Sequence, residues 1–307
     1  MDIKREQNDG EFERQEDRFR DRVTADGTSG YPAEPGRYHL YVSLACPWAH
    51  RTVIVRKLKQ LEDIVGITVA DPVRDERGWR FGDGEGFSRD TIEGFKFLGE
   101  AYQATDPTFD GRVTVPVLWD RRSHRIVNNS EDDISLMLNS AFGAFTKSDL
   151  NLFPEALRQE MDVMNALLYE NVNNGVYRAG FAGTQEVHAR WVRKLFDTLD
   201  YLEDRLSQSR YLLGDRMTEP DWRLFCTLIR FDAVYYVHFK CNVRRIVDYP
   251  NLWGYLRDLY QHDGIAETVS LDHIKRHYYM THPDINPTRF VPIGPDLDLA
   301  SPHGRGD

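Results

Sequence analysis

The stretch Ser43-Leu44-Ala45-Cys46-Pro47-Trp48-Ala49-His50-Arg51-Thr52 decides the fold. It follows RYHLYV (37–42), whose alternation suits a strand, and runs into TVIVRKLKQLE (52–62), where Val53, Val55, Leu58 and Leu61 fall close to helical spacing. Pro47 suits a first helical position, because no amide is needed there. A single cysteine therefore stands where a strand passes into a helix, and the helix dipole and its first amides favour thiolate over thiol. An unperturbed thiol titrates at about 8.5, whereas helix-start cysteines fall to roughly 3.5 to 7.5. Cys46 is thus placed to be a nucleophile. In a C-x-x-C arrangement a second thiol would occupy position 49, which is Ala49 here, so a mixed disulfide at Cys46 must be resolved by a thiol from outside. His50, one turn on, serves as a base or simply packs; the spacing leaves both open.

Outward from this junction, ITVADP (67–72) reads as a second strand, and RVTVPVLWD (112–120) with RIVNN (125–129) reads as a hairpin. Pro116 is odd for a central strand and suits a strand start or a cis turn. SEDDISLMLNSAF (130–142) reads as a helix capped at or near Ser130. Strand, helix, strand, hairpin and helix make a compact α/β unit. The Gly-, Asp- and Phe-rich stretch from about Arg74 to Asp110 reads as a long surface excursion from it.

Beyond about Asp149 the texture is helical. Leu157, Met161, Met164, Leu167 and Leu168 form one apolar stripe, and Trp191, Leu195, Leu199, Leu202 and Leu206 another; both read as core seams. In MTEPDWRLF (217–225), Thr218 and Asp221 form a capping-box variant worth ~1 kcal/mol, with Pro220 early in the helix. The Pro- and Gly-rich tail from Thr288 is expected to wrap the surface or to be partly unstructured.

With 307 residues the size prior favours two domains. The excess of 49 acidic over 39 basic residues, a net charge of -10, argues against nucleic acid as a partner. The leader MDIKREQNDGEFERQEDRFRDR is charged throughout, and no segment reaches the roughly 18 apolar residues of a membrane span, so a cytoplasmic protein without membrane contact is expected. Cys46, Cys226 and Cys241 are odd in number and widely separated, which argues against a disulfide framework; Cys226 and Cys241 read as buried structural thiols. His273 and His277 stand four apart on an expected helix, but no accompanying motif completes a metal site, and no metal is expected.

The runs RYHLYVSLACPWAHRT, GRVTVPVLWD, NNGVYRAGFA, RFDAVYYVHFKC, GIAETV and DHIKRHYY, with INP at 285–287, resemble the glutathionyl-hydroquinone reductases, the omega-like Xi class of glutathione transferases. The resemblance runs from about Gly36 to Gly304. It implies an α/β plus all-α protein: a thioredoxin-like thiol-binding domain over 36–148 with the 74–110 insertion, and an all-helical substrate domain over 149–280. An extension (1–35) precedes them and a tail (281–307) follows. It also implies a homodimer that reduces S-glutathionyl-hydroquinones with glutathione as co-substrate.

In that reaction the Cys46 thiolate attacks the glutathionyl sulfur, hydroquinone leaves, and a second glutathione frees Cys46 as oxidised glutathione forms. The resemblance carries Trp79, Arg112, Val115, Ser130 and Glu131 as thiol-binding residues, with the Val115 backbone pairing to the cysteinyl part of glutathione. It carries Tyr177 and Tyr278 as donors to the hydroquinone oxygen. The family usually reads Asn-Glu-Ser where this chain reads Asn129-Ser130-Glu131. Either the two side chains exchange roles or the thiol is another small one, such as mycothiol. Two competing readings are a Cys-His hydrolase built on Cys46, and a transferase-fold module that binds partners without catalysis.

Overall fold

The computed structural model describes residues 7, 8 and 10–306. The chain divides into two compact units, and both are discontinuous. One comprises Glu16–Asn151 with Glu267–His277; the other comprises the described part of Met1–Gln15, Leu152–Ala266 and the described part of Tyr278–Asp307.

In the helical unit, Gln7–Asn8 (β1) and Glu11–Phe12 (β2) form a short antiparallel ribbon. The thioredoxin-like unit then follows. Tyr38–Val42 (β3) leads to the helix Pro47–Leu58 (α1), and Gly66–Val69 (β4) returns parallel to β3. Gly99–Thr105 (α2) precedes the antiparallel hairpin Val117–Asp120 (β5) and Arg125–Asn128 (β6), and Glu131–Ser140 (α3) closes the unit. The sheet runs β4-β3-β5-β6, with Leu40 opposite both Ile67 and Leu118. Every residue of β3 and β5 is buried, as a central strand covered on both faces requires. Helix α1 packs against α3, and α2 against β6.

The Val115–Pro116 peptide is cis, and Pro116 lies just ahead of β5. The expected surface excursion at 74–110 is corrected by the fold. It contributes α2 and the buried side chains of Trp79, Phe81, Leu98, Ala101 and Tyr102, so part of it is core. Its loop is held by Asp90, whose carboxylate accepts from the amides of Ile92, Glu93 and Phe95 and from the Tyr41 hydroxyl.

The described part of the charged leader is likewise built into the structure. Phe19 exchanges backbone and side-chain hydrogen bonds with Asn129, and Asn128 donates to the Asp21 carbonyl. In the other unit Phe12 is buried against Tyr177 and Phe181, and Glu11 accepts from the Trp191 indole at 2.7 Å.

That unit is otherwise helical. Arg158–Leu168 (α4) runs through a π-helical turn at Tyr169–Asn173 into Gly175–Gly180 (α5). Gln185–Leu206 (α6) follows, and Trp191, Leu195, Leu199, Leu202 and Leu206 are all buried as one seam. On α4 the stripe is narrower than its sequence: Met161, Met164 and Leu168 are buried, Leu157 and Leu167 only in part. Glu219–Arg230 (α7) starts on the expected box, the Thr218 amide and hydroxyl both donating to Asp221 at 2.8 and 3.0 Å, and ends in a second π-helical turn at Phe231–Tyr235.

Pro250–Gln261 (α8) and Leu271–Thr281 (α9) complete the fold, the division between units falling after His277. The tail wraps its own unit: Arg305 donates to the carbonyls of Leu206, Ser209 and Arg210, and Gln261 donates to those of Leu299 and Ser301. Among the described residues, no helix is long and apolar enough to cross a membrane.

Candidate active site

Cys46 is the residue before the first turn of α1, in extended conformation with Pro47 at the first helical position. The local sequence enforces this, because proline fixes the helical φ while the preceding residue is driven out of the helical region. The thiol is half-buried and its Sγ donates weakly to the Val115 carbonyl at 3.7 Å, so Cys46 and Val115 stand side by side. His50 is fully buried with Nε2 2.9 Å from the Thr268 hydroxyl, so it packs within this unit.

Arg51, buried on α1, reaches the start of α3: it lies 3.2 Å from Glu131 and 2.5 Å from Asp132. The Glu131 side chain is 15% exposed. Burial and the neighbouring Asp132 push its carboxyl up to about 7, against the pull of Arg51. Ser130 precedes α3, and its amide donates to Asn128 Oδ1 at 2.7 Å. The leader brings a further acid here: burial raises Asp17 to about 6, although Arg20 and the neighbouring Ser130 side chain oppose the shift. Asp133 is held by Arg20 and Arg22 at 2.5 and 3.0 Å. The helix start therefore presents carboxylates, a serine and backbone amides together, a donor and acceptor set suited to a molecule carrying both an ammonium and a carboxylate.

Trp79 is buried, stacked on the His277 ring at 5.1 Å, with the Arg74 guanidinium 4.8 Å from its centroid. Its indole N–H is buried and has no hydrogen-bond partner among the described residues. A buried donor of that kind suits a polar ligand. Arg112 is half-buried. His273 and His277 are bound to the Glu85 and Pro72 carbonyls at 2.8 and 2.7 Å. No group of residues that could hold a metal occurs among the described residues.

In the helical unit, Tyr177 on α5 and Tyr278 on α9 are hydrogen-bonded hydroxyl to hydroxyl, and Tyr235 adds a third at 3.0 Å from Tyr278. Phe181, Phe239, His238 and His282 enclose them. Burial pushes the Tyr235 and Tyr278 phenols well above their ordinary range, so both stay protonated near neutral pH. Arg14, from the leader, sits with its guanidinium 4.9 Å from the Tyr177 ring centroid. Arg230 is fully buried close by and favours negative charge on Tyr278 and Tyr235.

The structure thus joins Cys46 to Val115 and Tyr177 to Tyr278, and it sets Ser130 with Glu131 at one helix start. Arg51, Asp17 and Tyr235 escaped the sequence reading. Tyr235 lay within the quoted run RFDAVYYVHFKC, where its pairing partner 43 residues away carried no local signal.

These features match known proteins. Residues 45–141 match the glutathione S-transferase N-terminal domain family, and residues 185–258 match the glutathione S-transferase C-terminal domain family. Glutathionyl-hydroquinone reductase YqjG of Escherichia coli (strain K12) is 51% identical over 303 residues, spanning 96% of this chain and 92% of the relative. The structure of YqjG with glutathione bound superimposes with a TM-score of 0.92 at 52% identity, covering 94% of this chain and 96% of that one. Glutathionyl-hydroquinone reductase PcpF of Sphingobium chlorophenolicum is 48% identical, spanning 94% of this chain and 91% of the relative. The fold and site define a glutathione transferase, and within that class the chain belongs to the glutathionyl-hydroquinone reductases, the Xi class.

Proposed function

We propose that the protein is a cytoplasmic, homodimeric glutathionyl-hydroquinone reductase with Cys46 as its nucleophile. The carrying observation is the lone thiol at the start of α1 with Ala49 in the resolving position, in a chain about half identical to two reductases. The Cys46 thiolate attacks the sulfur of the glutathionyl group. As the sulfur–sulfur bond forms, the carbon–sulfur bond breaks; its electron pair passes to the ring and its oxygen, and the ring carbon takes up a proton. Thiol–disulfide exchange with a second glutathione then frees Cys46 and yields oxidised glutathione.

The other roles are read from chemistry and family position. The Val115 backbone, Trp79 and Arg112 hold the glutathionyl peptide, and Ser130 and Glu131 meet its γ-glutamyl end. Glu131 gives the acid that the inverted Ser-Glu order moves one residue along the helix. The hydrogen-bonded Tyr177–Tyr278 pair stabilises the oxygen on which charge develops, one phenol proton of the pair being donated to it.

The test is turnover of a synthetic S-glutathionyl-hydroquinone with excess glutathione. Free hydroquinone is expected with the parent enzyme and is expected to be lost in Cys46→Ser. Retention of activity in that variant would remove the nucleophile assignment. Turnover with mycothiol in place of glutathione, and none with glutathione, would reassign the thiol.

A further inference from the structure

Three phenol oxygens in sequence, Tyr235 to Tyr278 to Tyr177, form a chain whose members grow less buried along it: 0%, 2% and 8% exposed. Each phenol has one proton, so the donors run outward to Tyr177, run inward to Tyr235, or converge on Tyr278; in the last two Tyr177 donates inward. Tyr235 lies deepest. Its ring is fixed by stacking on Phe239 at 5.6 Å and by an edge contact with Tyr278 at 5.6 Å, both of which hold its hydroxyl on Tyr278. Tyr235 is set there by the π-helical turn that ends α7, and such turns re-aim side chains at functional sites.

We propose that Tyr235 is a positioning residue: it donates to Tyr278, Tyr278 donates to Tyr177, and the Tyr177 proton is thereby turned toward the hydroquinone oxygen. The inference rests on the proposed roles of Tyr177 and Tyr278 and goes beyond them, since Tyr235 acts only through its neighbours. Hydrogen bonds in a chain polarise one another, so removing the innermost hydroxyl weakens the outermost donor. The alternative direction, with Tyr177 donating inward, would use its proton on Tyr278 and make Tyr235 irrelevant to the substrate oxygen. Burial favours the outward order: among the described residues the Tyr235 hydroxyl has Tyr278 as its partner, and its buried proton is left unsatisfied unless it donates there.

The experiment is a double-mutant cycle on hydroquinone release with Tyr235→Phe, which keeps the ring and its packing, and Tyr177→Phe. Tyr235→Phe is expected to lower kcat about five- to tenfold, the scale of one hydrogen bond. The KM for glutathione and the alkylation rate of Cys46 should stay at parent values. Added to Tyr177→Phe it should do nothing further. The loss should be larger with less acidic hydroquinones, which need the donor more, a dependence that a packing defect would not produce. An unchanged kcat in Tyr235→Phe, or an equal loss in both backgrounds, overturns the relay while leaving the reductase reading intact. Absence of release by the parent enzyme overturns both, and parent activity in Tyr177→Phe removes the tyrosine roles along with the relay.

Discussion

Glu131 holds its carboxyl near 7, above the ordinary 4.5, because burial and Asp132 outweigh Arg51. A raised carboxyl binds its proton more tightly folded than unfolded. Its stabilising contribution is therefore full below about 4.5 and is lost as pH rises through about 7. Glu131→Gln should accordingly raise Tm relative to the parent at pH 8, and the difference should vanish at pH 4, as followed by thermal melts across that range. The same substitution should raise the KM for glutathione at pH 8 by about tenfold, the worth of one charge-assisted contact. An unchanged KM would take Glu131 out of the binding set. Cys46 was legible at this scale because its signal is local: a strand, a proline and a helix. Asp17 and Tyr235 were not, because their contacts to Ser130 and Tyr278 are created only by tertiary structure.

Among the elements, α7 depends on Asp221, which accepts from the amides of Leu212 and Thr218 and from the hydroxyls of Thr218 and Tyr255 while fully buried. Asp221→Ala leaves those donors without their acceptor and should cost ~3 kcal/mol or more, read as a lowered urea midpoint. Asp221→Asn should recover part of it. At α5, a Cβ on Gly180 would fall 2.2 Å from the Phe239 ring, so Gly180→Ala should destabilise by about 1 to 3 kcal/mol and disturb the tyrosines that Phe239 packs against. Hydropathy gave α6 and its seam directly, since one long stripe specifies both period and face. It failed at 74–110, where the density of Gly and Asp masked α2 and the anchoring carboxylate of Asp90. It also had no means of seeing the two π-helical turns, where one extra residue shifts the phase of a stripe.

Across the whole molecule the three thiols are unequal. Cys226 and Cys241 are buried, and burial pushes the Cys241 thiol far above its usual range, whereas Cys46 is half-buried. Mild iodoacetamide at neutral pH should modify one residue of three, at Cys46, with the other two reacting only after unfolding; peptide mapping would locate the label. The two-part reading of the chain anticipated the thioredoxin-like and helical textures. It missed the exchange of segments, because nothing local in Glu267–His277 marks it as part of a unit whose strands lie more than 130 residues earlier.

That exchange constrains the order in which the protein can be made. The unit carrying Cys46 takes Thr268, the partner of His50, from a segment synthesised more than 200 residues after that cysteine. The helical unit draws its first strand from the leader and its last helical turn from Tyr278 onward. A nascent chain emerging at roughly 5 to 20 residues per second cannot finish its first unit before starting its second. Cys46 consequently exists for many seconds on the ribosome in incomplete surroundings, and neither unit can close until the segment from Glu267 onward has been made.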